Sequence, residues 1–136
     1  MRNPPFLLLL LVSCALVAGC GVRFRDPEPG NEFFKSATVS GDLRVGATLT
    51  GDVTMAQTYS VVVPITCELR QGKTLIKTIG SEQIAALPGG TPKSTPVAVH
   101  YSYPFTVEQP GLYKFECYTT KDEDNFVIRE FTVRGS

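Results

Sequence analysis

The sequence has no tryptophan and a single histidine, and its 13 basic residues are matched by 13 acidic ones. Zero formal charge leaves no bulk field to draw nucleic acid or an anionic surface. With His100 as the one histidine, any Ser-His-Asp triad has only one base available, and no G-x-S-x-G elbow accompanies it. A zinc site needs three or four His, Cys or acidic ligands, which one histidine and two bridged cysteines do not supply. Phosphate-cradling loops and dinucleotide fingerprints are missing. So is any run of Ala, Leu, Glu and Lys long enough to specify a helix. What remains is a chain of 136 residues, room for one domain, with 12 Gly and 10 Pro among abundant Val, Thr, Tyr and Phe. That composition favours strands and turns.

The one long apolar run lies at the start. Arg2 gives a positive opening, Phe6 to Val12 is unbroken, and small residues precede Cys20. Charged start, apolar middle and small-residue exit is the grammar of an export leader. Phe6 to Gly19 is shorter than the ~20 residues a membrane-crossing helix needs. Val17-Ala18-Gly19-Cys20 resembles the lipobox of bacterial lipoproteins. The resemblance implies that residues 1–19 are a signal peptide removed from the precursor and that the Cys20 thiol carries diacylglycerol. Small side chains at Ala18 and Gly19 suit a protease cleft, and the thiol is the only good sulfur nucleophile there. Two or three acyl chains hold a protein firmly to a bilayer. In that family an Asp after the cysteine marks inner-membrane retention. Gly21 stands there instead, which implies the outer membrane, or the outer face of the cell membrane in an organism with only one.

Residues 21–32 read as a tether. Pro27 and Pro29 forbid a regular helix, and the extended segment reaches roughly 35–40 Å. With Cys14 in the leader and Cys20 lipidated, Cys67 and Cys117 are left. In an oxidising compartment two such cysteines pair. The loop-entropy model values that bridge at about 4 kcal/mol.

Residues 33–136 read as strands joined by turns. Phe33 to Val39 opens, Ser40-Gly41-Asp42 turns, and Leu43 to Val53 follows, broken by Gly46 and Gly51. From Ser60 to Arg70, Val61, Val63, Ile65, Cys67 and Leu69 alternate with Val62, Pro64, Thr66, Glu68 and Arg70, the period of a strand with one buried face. Pro64 cannot donate to a ladder, so it marks an edge or a bulge. Gln71-Gly72 predicts a hairpin into Thr74 to Ile79. Residues 81–87 fit either a helical turn capped by Ser81 or a continued strand. Pro88 to Pro92 is loop, and a loop at the end of a sandwich offers a contact surface. Val97, Val99, Tyr101, Tyr103, Phe105 and Val107 predict a major core strand, bent at Pro104. Tyr113, Phe115 and Cys117 share a face of the next strand. In the last, Arg129 interrupts the apolar face, which requires both faces to be partly covered or a register shift.

About seven strands with a cysteine in an early and a late one resemble the immunoglobulin-like β-sandwich over residues 33–136. Gly111 to Cys117 looks like that family's approach to its second cysteine, and Val45 to Gly51 is similar to the opening strands of bacterial modules of the kind. The resemblance implies that Cys67 and Cys117 form the bridge between the sheets. The family's core tryptophan is missing, and Phe115 occupies the tyrosine-corner position two residues before Cys117.

The functional expectation is a membrane-anchored, non-catalytic envelope module that needs no cofactor and meets an envelope protein or polysaccharide. The competing expectation is a carbohydrate- or metal-dependent binding domain, or an enzyme. It would act through His100 or through the acidic tip at 122–125, where Asp122, Asp124 and Asn125 offer oxygen ligands.

Overall fold

In the computed structural model the described residues are 33–89, 95–120 and 125–136. Cys20, the expected leader 1–19 and tether 21–32, residues 90–94 and the expected ligand residues Asp122 and Asp124 lie outside them. The described chain forms seven strands: β1 (Phe34–Ser40), β2 (Thr48–Gln57), β3 (Val63–Gln71), β4 (Thr74–Ile84), β5 (Val97–Thr106), β6 (Gly111–Thr119) and β7 (Phe126–Val133). They build two antiparallel sheets, ordered β1-β2-β5 and β4-β3-β6-β7. The fold is an all-β sandwich.

The chain order gives the sandwich two distinct ends. β1 begins beside the end of β2, since Phe34 pairs with Met55. The connections β2–β3, β4–β5 and β6–β7 therefore lie at the end where β1 enters, which we call the entry end. Residues 41–47, 72–73 and 107–110 and the C-terminus occupy the far end. There Arg134 forms a parallel bridge with Arg44. The β3–β4 hairpin turns on Gly72-Lys73, with Gln71 paired to Thr74. Gly72 sits at φ 58°, the conformation that a two-residue loop opening on glycine supplies.

The core joins the sheets through aromatic rings. Phe105 of β5 lies 6.5 Å from Phe115 and 6.0 Å from Phe131 of the opposite sheet. Val63, Ile65, Cys67 and Leu69 are buried along β3, as the alternation predicts. Residues 81–84 continue β4 as strand and form no helical turn.

Four expectations need correction. Cys67 and Cys117 are bonded, but they are direct cross-strand partners on β3 and β6 of one sheet, with Cα atoms 4.1 Å apart. The bridge therefore staples a sheet and does not link the two. Chain order alone cannot tell these cases apart, because a cysteine in an early strand reads alike on β2 or β3. Second, Gly51 does not break its segment. It lies within β2, and a Cβ there would come 2.8 Å from Phe115 Cζ, so glycine lets a ring of the opposite sheet approach the backbone. Third, the β5 stripe is core only in its second half. Tyr103 and Phe105 are buried, whereas Val97 is 49% exposed, because β5 is an edge strand flanked only by β2. Fourth, Val61 lies before β3 begins and is exposed. Pro64 sits on a central strand, yet β6 pairs only from Ile65 onward, so β3 is single-flanked at that proline. No register shift occurs near Arg129. Instead Ile128 is buried on the outer face of β7, the first of the two alternatives.

Candidate functional site

The strands gather the chemistry-bearing side chains into three places. The first is the outer face of the three-stranded sheet. Cross-strand pairing sets Asp52 opposite Ser102 and Thr54 opposite His100. His100 Nε2 lies 3.2 Å from Ser102 Oγ and 3.3 Å from Asp52 Oδ1, and Nδ1 is 3.2 Å from Thr54 Oγ1. Ser102 donates a short hydrogen bond to Asp52. The three residue types of a hydrolytic triad are present, but their wiring differs. A triad base takes the serine proton at one nitrogen and is oriented by the carboxylate at the other. Here serine and carboxylate meet the same nitrogen, and the serine gives its proton to Asp52. The His100 side chain is 57% exposed. The arrangement is a hydrogen-bonded surface patch wired differently from a hydrolytic triad.

The second place lies on the outer face of the four-stranded sheet. Glu68 and Glu116 are directly opposed, and both are buried despite facing outward. Arg70 bridges them, with Nη2 at 2.9 Å from Glu68 and Nε at 3.8 Å from Glu116. Tyr118 donates a 2.7 Å hydrogen bond to Glu68. Burial first, then the bond to Glu68, pushes the Tyr118 hydroxyl above the ordinary tyrosine range. Two opposed carboxylates repel, so Arg70 is their counter-charge. Sequence reading missed this cluster. Its signal was present in the order Cys67-Glu68 and Glu116-Cys117: once the cysteines are cross-strand partners, the neighbouring glutamates must be partners too.

The third place is the entry end. Gln57, 1% exposed, donates from Nε2 to Ala85 O at 2.8 Å and accepts from Tyr59 N–H at 3.0 Å. Leu87 N–H donates to Tyr59 O, and Ala56 N–H donates to Phe33 O. Asn125 is 6% exposed and donates from Nδ2 to the Tyr59 hydroxyl at 3.1 Å, while its Oδ1 is buried without a partner. Asn125, expected as a ligand contact, ties the β6–β7 connection to Tyr59. Among the described residues no group of three or more His, Cys, Asp or Glu is placed to hold a metal ion.

At the far end a cleft of about 300 Å³ is lined by Gln71, Ile76, Lys77, Thr106, Glu108 and Tyr113, among others. Lys77 Nζ donates to Thr106 O at 3.1 Å, across the two sheet edges. The Tyr113 hydroxyl donates to Gln109 O at 2.7 Å. This bond from the start of β6 back to the preceding connection is the geometry of a tyrosine corner. It is made by Tyr113, four residues before Cys117, while Phe115, two before, is a fully buried core ring.

No family model matches the chain, and no curated protein does. Solved structures do match it. One is a β-glucosidase from Listeria innocua, with a TM-score of 0.51 and 15% identity over 74% of this chain. The chain spans only 16% of that enzyme, and at this identity the likeness concerns the fold alone.

Proposed function

We propose that this protein is a lipid-anchored bacterial envelope module that binds or braces a partner and performs no catalysis of its own. The observation that carries the reading is Val17-Ala18-Gly19-Cys20 placed directly after an apolar run of signal-peptide length. Cys20 is the attachment residue, and residues 21–32 are the spacer. Gly21 in place of Asp supports the outer membrane where the organism has one. Residues 33–136 are proposed as an immunoglobulin-like domain. The sheet orders β1-β2-β5 and β4-β3-β6-β7 and the Tyr113 bond support that assignment. The absence of catalysis is argued from the wiring at His100, where Nε2 meets serine and carboxylate together. The partner is proposed to be an envelope protein or a polysaccharide, peptidoglycan included. Zero net charge argues against nucleic acid.

The test is metabolic labelling with a fatty acid in a bacterial host. The wild-type chain should incorporate label and Cys20→Ser should not; equal labelling of the variant would refute the anchor. Replacing His100 and Asp52 together by Ala should leave every phenotype of the gene intact. Loss of function in that variant would move the reading to an enzyme or ligand-binding domain acting through His100.

A further inference from the structure

We infer that the entry end of the sandwich rests on the bilayer through Val61, Val62 and Val97, so that the far end faces outward. The inference rests on the proposed anchor at Cys20. Among the described residues, six large apolar side chains are exposed. Three of them, Leu75, Ile76 and Leu112, are near the far ends of β4 and β6. The other three, Val61 (41% exposed), Val62 (50%) and Val97 (49%), belong to the entry end. Val61 and Val62 lead into β3, while Val97 starts β5 opposite Gln57, the last residue of β2. Phe33 enters β1 at this same end.

The length of chain beyond Phe33 supplies the reason for contact. Residues 20–32 separate the proposed anchor from Phe33, and a chain of that length reaches at most roughly 45 Å however it is arranged. Such a tether keeps the entry end at millimolar effective concentration near the surface. Apolar contacts too weak to recruit a free domain are then populated. The loops carrying the valines are also held in shape. Gln57, Tyr59 and Asn125 tie the β2–β3, β4–β5 and β6–β7 connections together, so the valines are presented on a fixed platform. Strand lengths separate the two ends by roughly 30 Å, so a domain seated on one end carries the other clear of the head groups. This orientation places the 300 Å³ cleft beside Tyr113, and Leu75, Ile76 and Leu112, on the side open to a partner.

The absence of tryptophan makes the test direct. Val62→Trp and Leu112→Trp each install a single reporter, at the entry and far ends, in full-length lipidated protein in phosphatidylcholine vesicles. Brominated acyl chains should quench Trp emission of the Val62 variant by about two-fold and leave the Leu112 variant unchanged, since interfacial contact reaches only ~5–10 Å. Val97→Trp should behave as Val62→Trp does. Mass spectrometry of the acylated Cys20 peptide and flotation with the vesicles check the anchor separately. Flotation with no quenching at 62 and 97, or with equal quenching at 112, overturns the seating while the anchor stands. An unacylated Cys20 overturns both.

Discussion

Replacing Cys67 and Cys117 together by Ala tests the stability argument most directly. The bridge closes a loop with a sequence separation of 50 residues. In the loop-entropy model that constraint costs the unfolded chain about 14 cal/mol/K, or about 4 kcal/mol at 25 °C. The native side of the ledger is small. Both cysteines are fully buried, but their strands remain paired from Ile65 to Arg70 without the sulfurs. The sheets themselves are joined by Phe105, Phe115 and Phe131, which the substitution does not touch. The double variant should therefore keep its fold and lose stability through the unfolded state. For a domain of about 100 residues, 1 kcal/mol is worth ~4–8 °C, so Tm should fall by about 15–30 °C. Urea denaturation followed by far-ultraviolet circular dichroism should also show a steeper dependence on denaturant, because the unbridged chain exposes more surface. A fall of less than about 5 °C with an unchanged slope would show that the unfolded state is compact without the bridge, and would refute the entropic account.

Gly51→Ala should destabilise by about 1–3 kcal/mol, since the added methyl meets the buried Phe115 ring at 2.8 Å. Phe115→Leu in the same chain should recover part of that loss in chemical denaturation, and no recovery would place the strain elsewhere. Arg70→Met should cost about 2–4 kcal/mol, because Glu68 and Glu116 would stand opposed without the Arg70 guanidinium between them. Glu116→Gln should restore much of it, and an additive double variant would refute the coupling. Tyr103, Tyr113 and Tyr118 all have hydroxyls pushed up by burial, with Glu82 adding to the effect at Tyr103. The fold thus favours their neutral form. Their contribution is complete below about pH 10, where unfolded tyrosines begin to ionise, and is lost as pH rises above it. Tm should fall as pH rises above about 10, and Tyr103→Phe with Tyr118→Phe should flatten that fall; an equally steep fall in the double variant would assign it to other groups.

Much of the strand content was legible because a buried face imposes a period of two. The alternations at Val63 to Leu69 and Tyr113 to Cys117 name their own inward residues. Where the period failed as a guide, the neighbour decided. Val97 keeps the pattern of a core residue, yet nothing covers it because β5 lies at a sheet edge. Gly51 reads as a break and is a point of close approach to Phe115. At the candidate sites the sequence named His100 but not its partners, because Asp52 and Ser102 meet only through the β2–β5 register. It placed Asn125 in the acidic tip as an oxygen ligand, and the structure buries it with Nδ2 bonded to Tyr59.

The amino-acid sequence by itself determined the all-β class, the inward residues of its strongest strands and the identity of the two bridged cysteines, and it carries the Val17-Ala18-Gly19-Cys20 stretch from which the proposed function proceeds. These are local properties, set by period, composition and short motifs. Tertiary structure alone decided that the bridge lies within a sheet, that Glu68 and Glu116 share Arg70, that serine and carboxylate share one nitrogen of His100, and which loops surround the end where β1 begins. Each depends on which strands are neighbours and in what register. Pairing energy between backbones is nearly indifferent to sequence, so only the packing of the whole chain selects it.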